Sequence, residues 1–332
     1  MNVTVTGASA PGFLTVYPCG DVPTASNLNY VQDQTVPNFV VSALSPAGEV
    51  CIDTFAVVDV VVDLAGFLPA ASPIVMLAQP SRIVDSRQGV GLPGPLAAMQ
   101  VTEVQVAGTP GLPVDASMVL FNATVTNTET AGFLTVFPCG ESTPPTSTLN
   151  FTANSTVPNF VVAKIGSGGR VCLYSASATQ IVIDVAGYDP AGATDVVPLR
   201  SPARLLDTRN GIGGPAGKLT TAGRVAQLAG IANIPDTATA VLVNLTATRS
   251  VGSGFVSAYP CGATAPLVSN LNFSAGGDVA NMAIVKLGTA GQLCLTANND
   301  VDVIVDVTGY LNTDASITAL TPVRIYDSRD GV

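Results

Sequence analysis

Short runs of alternating apolar and polar residues fill this chain from end to end. They include NVTVT (2–6), GFLTVYP (12–18), AVVDVVVDLAGF (56–67) and MVLFNATVTN (118–127). Turn formers separate them, such as Ala-Pro-Gly at 10–12 and Ser-Pro-Ala-Gly at 45–48. Runs rich in β-branched residues and bounded by Gly, Pro, Asn and Ser predict strands. No segment keeps a 3.6-residue period long enough to compete as a helix. The pattern predicts an all-β protein.

The strands come in a threefold order. GFLTVYPCG, SNLNY, VPNFVV, EVCIDT and VVVDLAGF occupy Gly12–Phe67, and their counterparts fill Gly132–Tyr188 and Gly254–Tyr310. Cys19, Cys139 and Cys261 mark a period of about 120 residues, a typical domain size. A unit of that length need not lean on its neighbours as a short solenoid repeat must. About nine short strands per unit suit a two-sheet sandwich of immunoglobulin or jelly-roll type. The expectation is a tandem array of three disulfide-stapled β-sandwich repeats, strung as beads in a rod of roughly 100 Å.

The junctions between units share a second motif, R-x-x-D-[ST]-R-x-G. It supplies Arg82, Asp85 and Arg87, then Arg204, Asp207 and Arg209, then Arg324, Asp327 and Arg329. Six of the thirteen basic residues lie in it. Asp63, Asp184 and Asp306 recur inside apolar strands, where a carboxylate is costly to bury unless paired. One recurring Arg per unit is expected to fork onto a recurring Asp, bidentate and partly buried, and lock the junction to the unit. The alternative is a solvated turn carrying surface charges.

Six cysteines fall two per unit, as Cys19/Cys51, Cys139/Cys172 and Cys261/Cys294, with separations of 32, 33 and 33. The spacing is wrong for metal knuckles, and the chain has no His. It fits structural disulfides in an oxidising compartment, each stabilising its unit by about 3–4 kcal/mol; buried free thiols are the alternative. Without His or a free thiol the common nucleophile–base arrangements are absent, and three identical active sites in an array would be unusual. The chain is read as a non-enzyme without cofactor or metal. A calcium loop has its nearest candidate at Asn299, Asp300 and Asp302, which the other units do not repeat.

Net charge is −10, and the first 81 residues hold no Lys or Arg, so nucleic acid is excluded as a partner. No apolar run reaches membrane-spanning length, so no membrane insertion is expected. Met1 runs straight into NVTVT with no signal-peptide pattern, so an exported protein would be met here in mature form. The recurring Asn29, Asn150 and Asn272, and Asn38, Asn159 and Asn281, could hydrogen-bond sugars or their own backbone. Trp is absent and aromatics are 5%, so sugar-stacking platforms are scarce. Asn122, Asn150, Asn154, Asn244 and Asn272 also match N-x-[ST], which matters only in a glycosylating host.

Taken jointly, the DTR, YPCG, SNLNF and DVTGY words resemble a β-rich module repeated in secreted and cell-surface proteins of actinobacteria and of filamentous bacteria such as Chloroflexi. The resemblance covers essentially the whole chain and implies export, without implying an activity. It also implies module boundaries at the P-x-R segments. Residues 1-77 are then a first module lacking its opening strands, 78-198 a second and 199-311 a third. Residues 312-332 are the opening strand of a following module, or a donor strand. A spare strand at one end and a gap at the other suggest head-to-tail self-association by strand complementation. The connector equivalent to 91–120 is missing from both ends, which weighs against perfect complementation. The expected role is an extracellular or cell-surface structural protein of a stalk, sheath or filament. The alternative is a multivalent carbohydrate- or surface-binding adhesin array.

Overall fold

The computed structural model describes residues 1–192 and 195–331. Strands β1 (Asn2–Thr6), β2 (Gly12–Pro18), β3 (Leu28–Tyr30), β4 (Val36–Phe39), β5 (Val50–Thr54) and β6 (Asp59–Phe67) belong to the first unit. The second unit holds β7 (Val75–Asp85), β8 (Gln100–Gln105), β9 (Ala116–Thr126), β10 (Gly132–Pro138), β11 (Leu149–Phe151), β12 (Val157–Lys164), β13 (Arg170–Ser175) and β14 (Gln180–Pro190). The third repeats them as β15 (Val196–Asp207), β16 (Arg224–Gln227), β17 (Ala240–Thr248), β18 (Gly254–Pro260), β19 (Leu271–Phe273), β20 (Val279–Lys286), β21 (Gln292–Ala297) and β22 (Asp302–Leu311). A last strand, β23 (Thr318–Asp327), follows.

These strands form six antiparallel sheets, two per unit. One sheet of each unit carries the junction motif: β12-β9-β14-β7 in the second, β20-β17-β22-β15 in the third. The other carries the disulfide: β11-β10-β13-β8 and β19-β18-β21-β16. The strands β4, β3, β12, β11, β20 and β19 follow one another around a common axis, each packed on the next. The six sheets are therefore the blades of one closed β-propeller, and the expectation of three tandem sandwiches on a string is corrected.

The physical reason lies in the second face of β1, β9 and β17. In a free sandwich that face meets water. Here β17 is buried at every residue and β9 at all but one. Odd-numbered side chains such as Phe121, Val243 and Leu245 fill the core that the two blades of a unit share. Their even-numbered neighbours face the axis and the preceding unit. Met118, Leu120, Ala240 and Leu242 join Phe39, Phe160 and Met282 in one apolar cluster drawn from all three units. The shared core within each unit is what makes the sequence read as a sandwich.

Asparagines lock the seams. Asn38 donates Nδ2 to Oδ1 of Asn122 at 2.9 Å and accepts the Phe160 N–H at 3.0 Å. Asn159 does the same with Asn244 (2.9 Å) and the Met282 N–H (3.1 Å). Asn281 returns to the first unit through Asn2 (2.8 Å) and the Phe39 N–H (3.1 Å). Each unit thus holds the next, and the third holds the first. At one end of the axis the inter-unit linkers meet: Asp195 accepts bonds from Ser72 Oγ, at 2.9 Å, and from the N–H and Oγ of Ser316.

The ring is closed by β23, which pairs antiparallel with β6 as the outer strand of β23-β6-β1-β4. Its register sets Arg324 opposite Asp63, as Arg204 stands opposite Asp306 and Arg82 opposite Asp184. The spare strand therefore completes the first unit of its own chain. The geometry that would have driven head-to-tail polymerisation is used up internally. One gap remains, since β3-β2-β5 has three strands where its counterparts have four.

Candidate functional site

The junction motif builds the same ion-pair chain three times. Arg82 forks onto Asp184 through Nε and Nη2 at 2.8 and 3.0 Å, and Arg204 repeats this on Asp306 at the same distances. Arg324 reaches Asp63 with one bond of 3.0 Å, leaving Asp63 Oδ2 without a partner. The second arginine of each motif turns back on its own aspartate: Arg87 on Asp85, Arg209 on Asp207 and Arg329 on Asp327, each by two bonds of 2.6–2.9 Å. Five of these six pairs are bidentate and all six involve a buried carboxylate, so the solvated-turn reading does not hold.

Their electrostatics follow from depth. Burial pushes the Asp63 and Asp306 carboxyls up, against the pull of Arg324 and Arg204. The Arg87 guanidinium holds Asp85 below the usual carboxylate range, and Arg329 brings Asp327 down to about 2. Burial alone would raise Asp207, but the hydrogen bonds from Arg209 outweigh it and the group sits low. Asp189, beside the axial linkers, is raised to about 6 by burial and by the nearby Asp195.

All six cysteines are paired within their units, Cys19–Cys51, Cys139–Cys172 and Cys261–Cys294. The free-thiol alternative is thereby closed, and the compartment the chain is built for is an oxidising one. Glu103 lies close to the sulfurs of Cys139 and Cys172, but these are bonded to each other and offer no thiolate. The calcium candidate at Asp302 is occupied by protein cations, Lys218 and Arg249 at 3.2 Å each. No helix among the described residues is long and apolar enough to cross a membrane.

The arginine pairs also form the floor of surface clefts at the seams. Between the second and third units a cleft of about 580 Å³ runs over Arg204 and Arg209. Thr246 and Thr248 come from β17 on one side, Asn150 and Phe133 from the preceding unit on the other. Thr246 Oγ1 and Asn150 Nδ2 are buried polar atoms with no partner in the protein. Phe133 stands against Tyr174 with ring centroids 5.9 Å apart, walling one side. Between the third and first units the same positions recur in a cleft of about 440 Å³, with Arg324, Arg329, Thr4, Asn272 and Phe255. There Thr4 Oγ1 lacks a partner too.

Sequence reasoning found the arginines and Asn150 and Asn272, but it missed the threonines. The signal was present: Thr4, Thr124 and Thr246 stand two residues after the seam asparagines Asn2, Asn122 and Asn244 in all three units. Asn38, Asn159 and Asn281 are buried and spent on the seams, so they are not sugar ligands. Asn122 and Asn244 are likewise buried within their N-x-T motifs.

No family model matches the chain, and no curated protein matches it. Among solved structures it is similar to the N-terminal CBM22-1–CBM22-2 tandem domain of Paenibacillus barcinonensis Xyn10C, at 12% identity over 74% of this chain and 100% of that one, with a TM-score of 0.22. A Parabacteroides distasonis protein described as secreted follows, at 8% identity over 80% of this chain and 86% of that one, with a TM-score of 0.12. Likenesses this low carry no argument about fold or ligand.

Proposed function

We propose that this is an extracellular, non-enzymatic binding protein whose seam clefts take glycans. The observation that carries the reading is the pair of unsatisfied polar atoms, Thr246 Oγ1 and Asn150 Nδ2, in a cleft between arginines and an aromatic wall. Leaving a buried donor or acceptor unpaired costs about 1–3 kcal/mol, and a hydroxyl-rich ligand would recover that. A phenyl wall beside convergent polar groups is the usual make-up of a small-molecule cleft. Recurrence of the cleft at the next seam would let weak sites add through multivalency. The secreted-module resemblance agrees with such a role. Head-to-tail assembly by strand complementation has lost its donor, because β23 is consumed within the chain, and this leaves the stalk or filament reading without support.

The test is a glycan array probed with the whole protein, followed by calorimetry on any hit. Thr246→Val keeps the shape of the floor and removes the hydroxyl. It is expected to weaken binding at that cleft about tenfold while raising the melting temperature of the free protein, since it removes an unpaired buried hydroxyl. A silent array, or a hit indifferent to Thr246→Val and Thr4→Val together, overturns the proposal.

A further inference from the structure

The buried Asp189 Oδ1 has no hydrogen-bond partner and lines neither seam cleft. Its residue is only 1% exposed, at the end of β14. The repeats show what belongs there. GYDP (187–190) of the second unit answers to GYLN (309–312) of the third and GFLP (66–69) of the first. Leu311 is fully buried in the axial cluster, and Leu68 packs against it. A carboxyl thus stands in a leucine's place, and the residue after it is proline. Asp189–Pro190 is the single Asp–Pro bond of the chain.

The main chain around that bond is held by a hydroxyl. Asp189 lies opposite Met118 and Pro190 opposite Ala116, with a bulge between them. Ser117, skipped by the bulge, donates Oγ to the carbonyls of both Asp189 and Pro190, at 3.2 Å each. Thr239 does the same in the third unit, to Leu311 and Asn312 at 3.3 Å. The hydroxyl is therefore part of the shared fold. Only in the second unit does the carbonyl it polarises have a carboxyl on the same residue.

We propose that the Asp189–Pro190 bond is a self-cleavage site, cut by the Asp189 carboxyl with Ser117 as the donor to the scissile carbonyl. Proline has no N–H, so the ordinary attack of the next amide on an aspartyl side chain is closed. The route left is attack by one carboxyl oxygen on the main-chain carbonyl carbon of the same residue. The two groups are joined through Cα and Cβ, so a five-membered ring closes at little entropic cost. The Ser117 hydroxyl steadies the charge that builds on the carbonyl oxygen. The carboxyl proton passes to the Pro190 nitrogen, the C–N bond breaks, and a cyclic anhydride is left on residue 189. Water then opens the anhydride to two carboxyls. Burial and the nearby Asp195 raise the carboxyl to about 6, which keeps its proton in place in mild acid. Met118 and Ala116 opposite do not titrate, so Asp195 is the charged group that faces it. The two pieces stay together, because β23 pairs with β6 and Asn159 with Asn244 across the cut.

The test holds the purified whole protein at a series of pH values and reads intact mass after denaturation. Fragments 1–189 and 190–332 are expected, the second beginning at Pro190. Their rate of appearance should rise as pH falls through about 6 and then level off. The same chain unfolded in urea should cut more slowly in mild acid, with its rate still rising toward the ordinary aspartate value of 3.8. Ser117→Ala should slow the folded protein about tenfold and leave the unfolded rate unchanged. Asp189→Leu, which copies the third unit, should abolish the cut. Three outcomes overturn the proposal: the folded chain stays whole, folded and unfolded chains cut at one rate with one pH profile, or Ser117→Ala cuts as fast as wild type.

Discussion

Asn159 donates Nδ2 to Oδ1 of Asn244 across 85 residues of sequence, and the same nitrogen donates to the Thr148 carbonyl at 2.6 Å. Its oxygen meanwhile accepts the Met282 N–H at 3.1 Å. One fully buried amide thus joins the inner strand of one unit to two strands of the next. Because the bonds are directional, they fix the rotation of neighbouring units in a way the surrounding apolar contacts cannot.

Asn159→Ala strips all of these bonds, orphans the Asn244 oxygen and the Met282 N–H, and leaves a small void. The expected loss is about 3–4 kcal/mol, above the usual range for a point substitution. Urea denaturation of the variant measures it, and Asn38→Ala and Asn281→Ala should agree within about 1 kcal/mol if the three seams are equivalent.

Closure by β23 predicts a cooperative ring. Deleting residues 312–332 would bare the outer edge of β6 and leave Asp63 buried without its arginine. The truncated chain is expected to unfold in two steps, the first unit early, where the intact protein unfolds in one. Calorimetry shows the difference directly, and a peptide of residues 316–330 added in excess should restore part of the lost transition.

Much of this architecture was legible in the sequence, and the missing part has one cause. Strands, disulfides and the Arg–Asp forks are local or recur three times, so spacing and charge cost reveal them. The ring depends on what the second face of β1, β9 and β17 meets. Asn122, Thr124 and Thr126 alternate with Ala123 and Val125 as a solvated face would, yet all three are buried, and Asn122 donates to the Ser26 carbonyl of the preceding unit. The contrary hint was Met118-Val119-Leu120-Phe121, apolar on both faces at once, which an open sandwich does not need. The spare strand and the gap were also readable. Whether they meet within one chain or between two depends on the angle between units, which no residue encodes alone.

Asp189 predicts a specific pH dependence. Its folded pKa of about 6 exceeds the ordinary 3.8, so the native state holds the proton more tightly than the unfolded one. The favourable contribution is complete below about pH 4 and is lost as pH rises through 6. Asp189→Asn should therefore raise stability by about 1–2 kcal/mol at pH 7.5 and change nothing at pH 3.5. Asp327 runs the opposite way: with a folded value of about 2, its contribution is present above about pH 4 and disappears toward pH 2. Melting temperatures of wild type and Asp189→Asn across pH 2–7.5 separate the two windows.

The ion-pair chains rank themselves by depth. Arg204 is 17% exposed and forks onto Asp306 with two bonds, while Arg324 is 35% exposed and makes one bond to Asp63. Removing a partner from a buried pair leaves an uncompensated carboxylate, a cost of about 3–5 kcal/mol. Arg204→Ala should approach that range and Arg324→Ala should fall well below it. Asp306 in the first variant would then recover part of the loss by taking up a proton, so its deficit should shrink as pH falls toward 5. A lysine at 204 keeps the charge but not the fork, and is expected to restore less than half of the loss. Denaturation of Arg204→Ala, Arg204→Lys and Arg324→Ala at pH 7.5 and pH 5 decides the ranking, and equal losses for the two alanine variants would show that the fork adds nothing beyond a single bond.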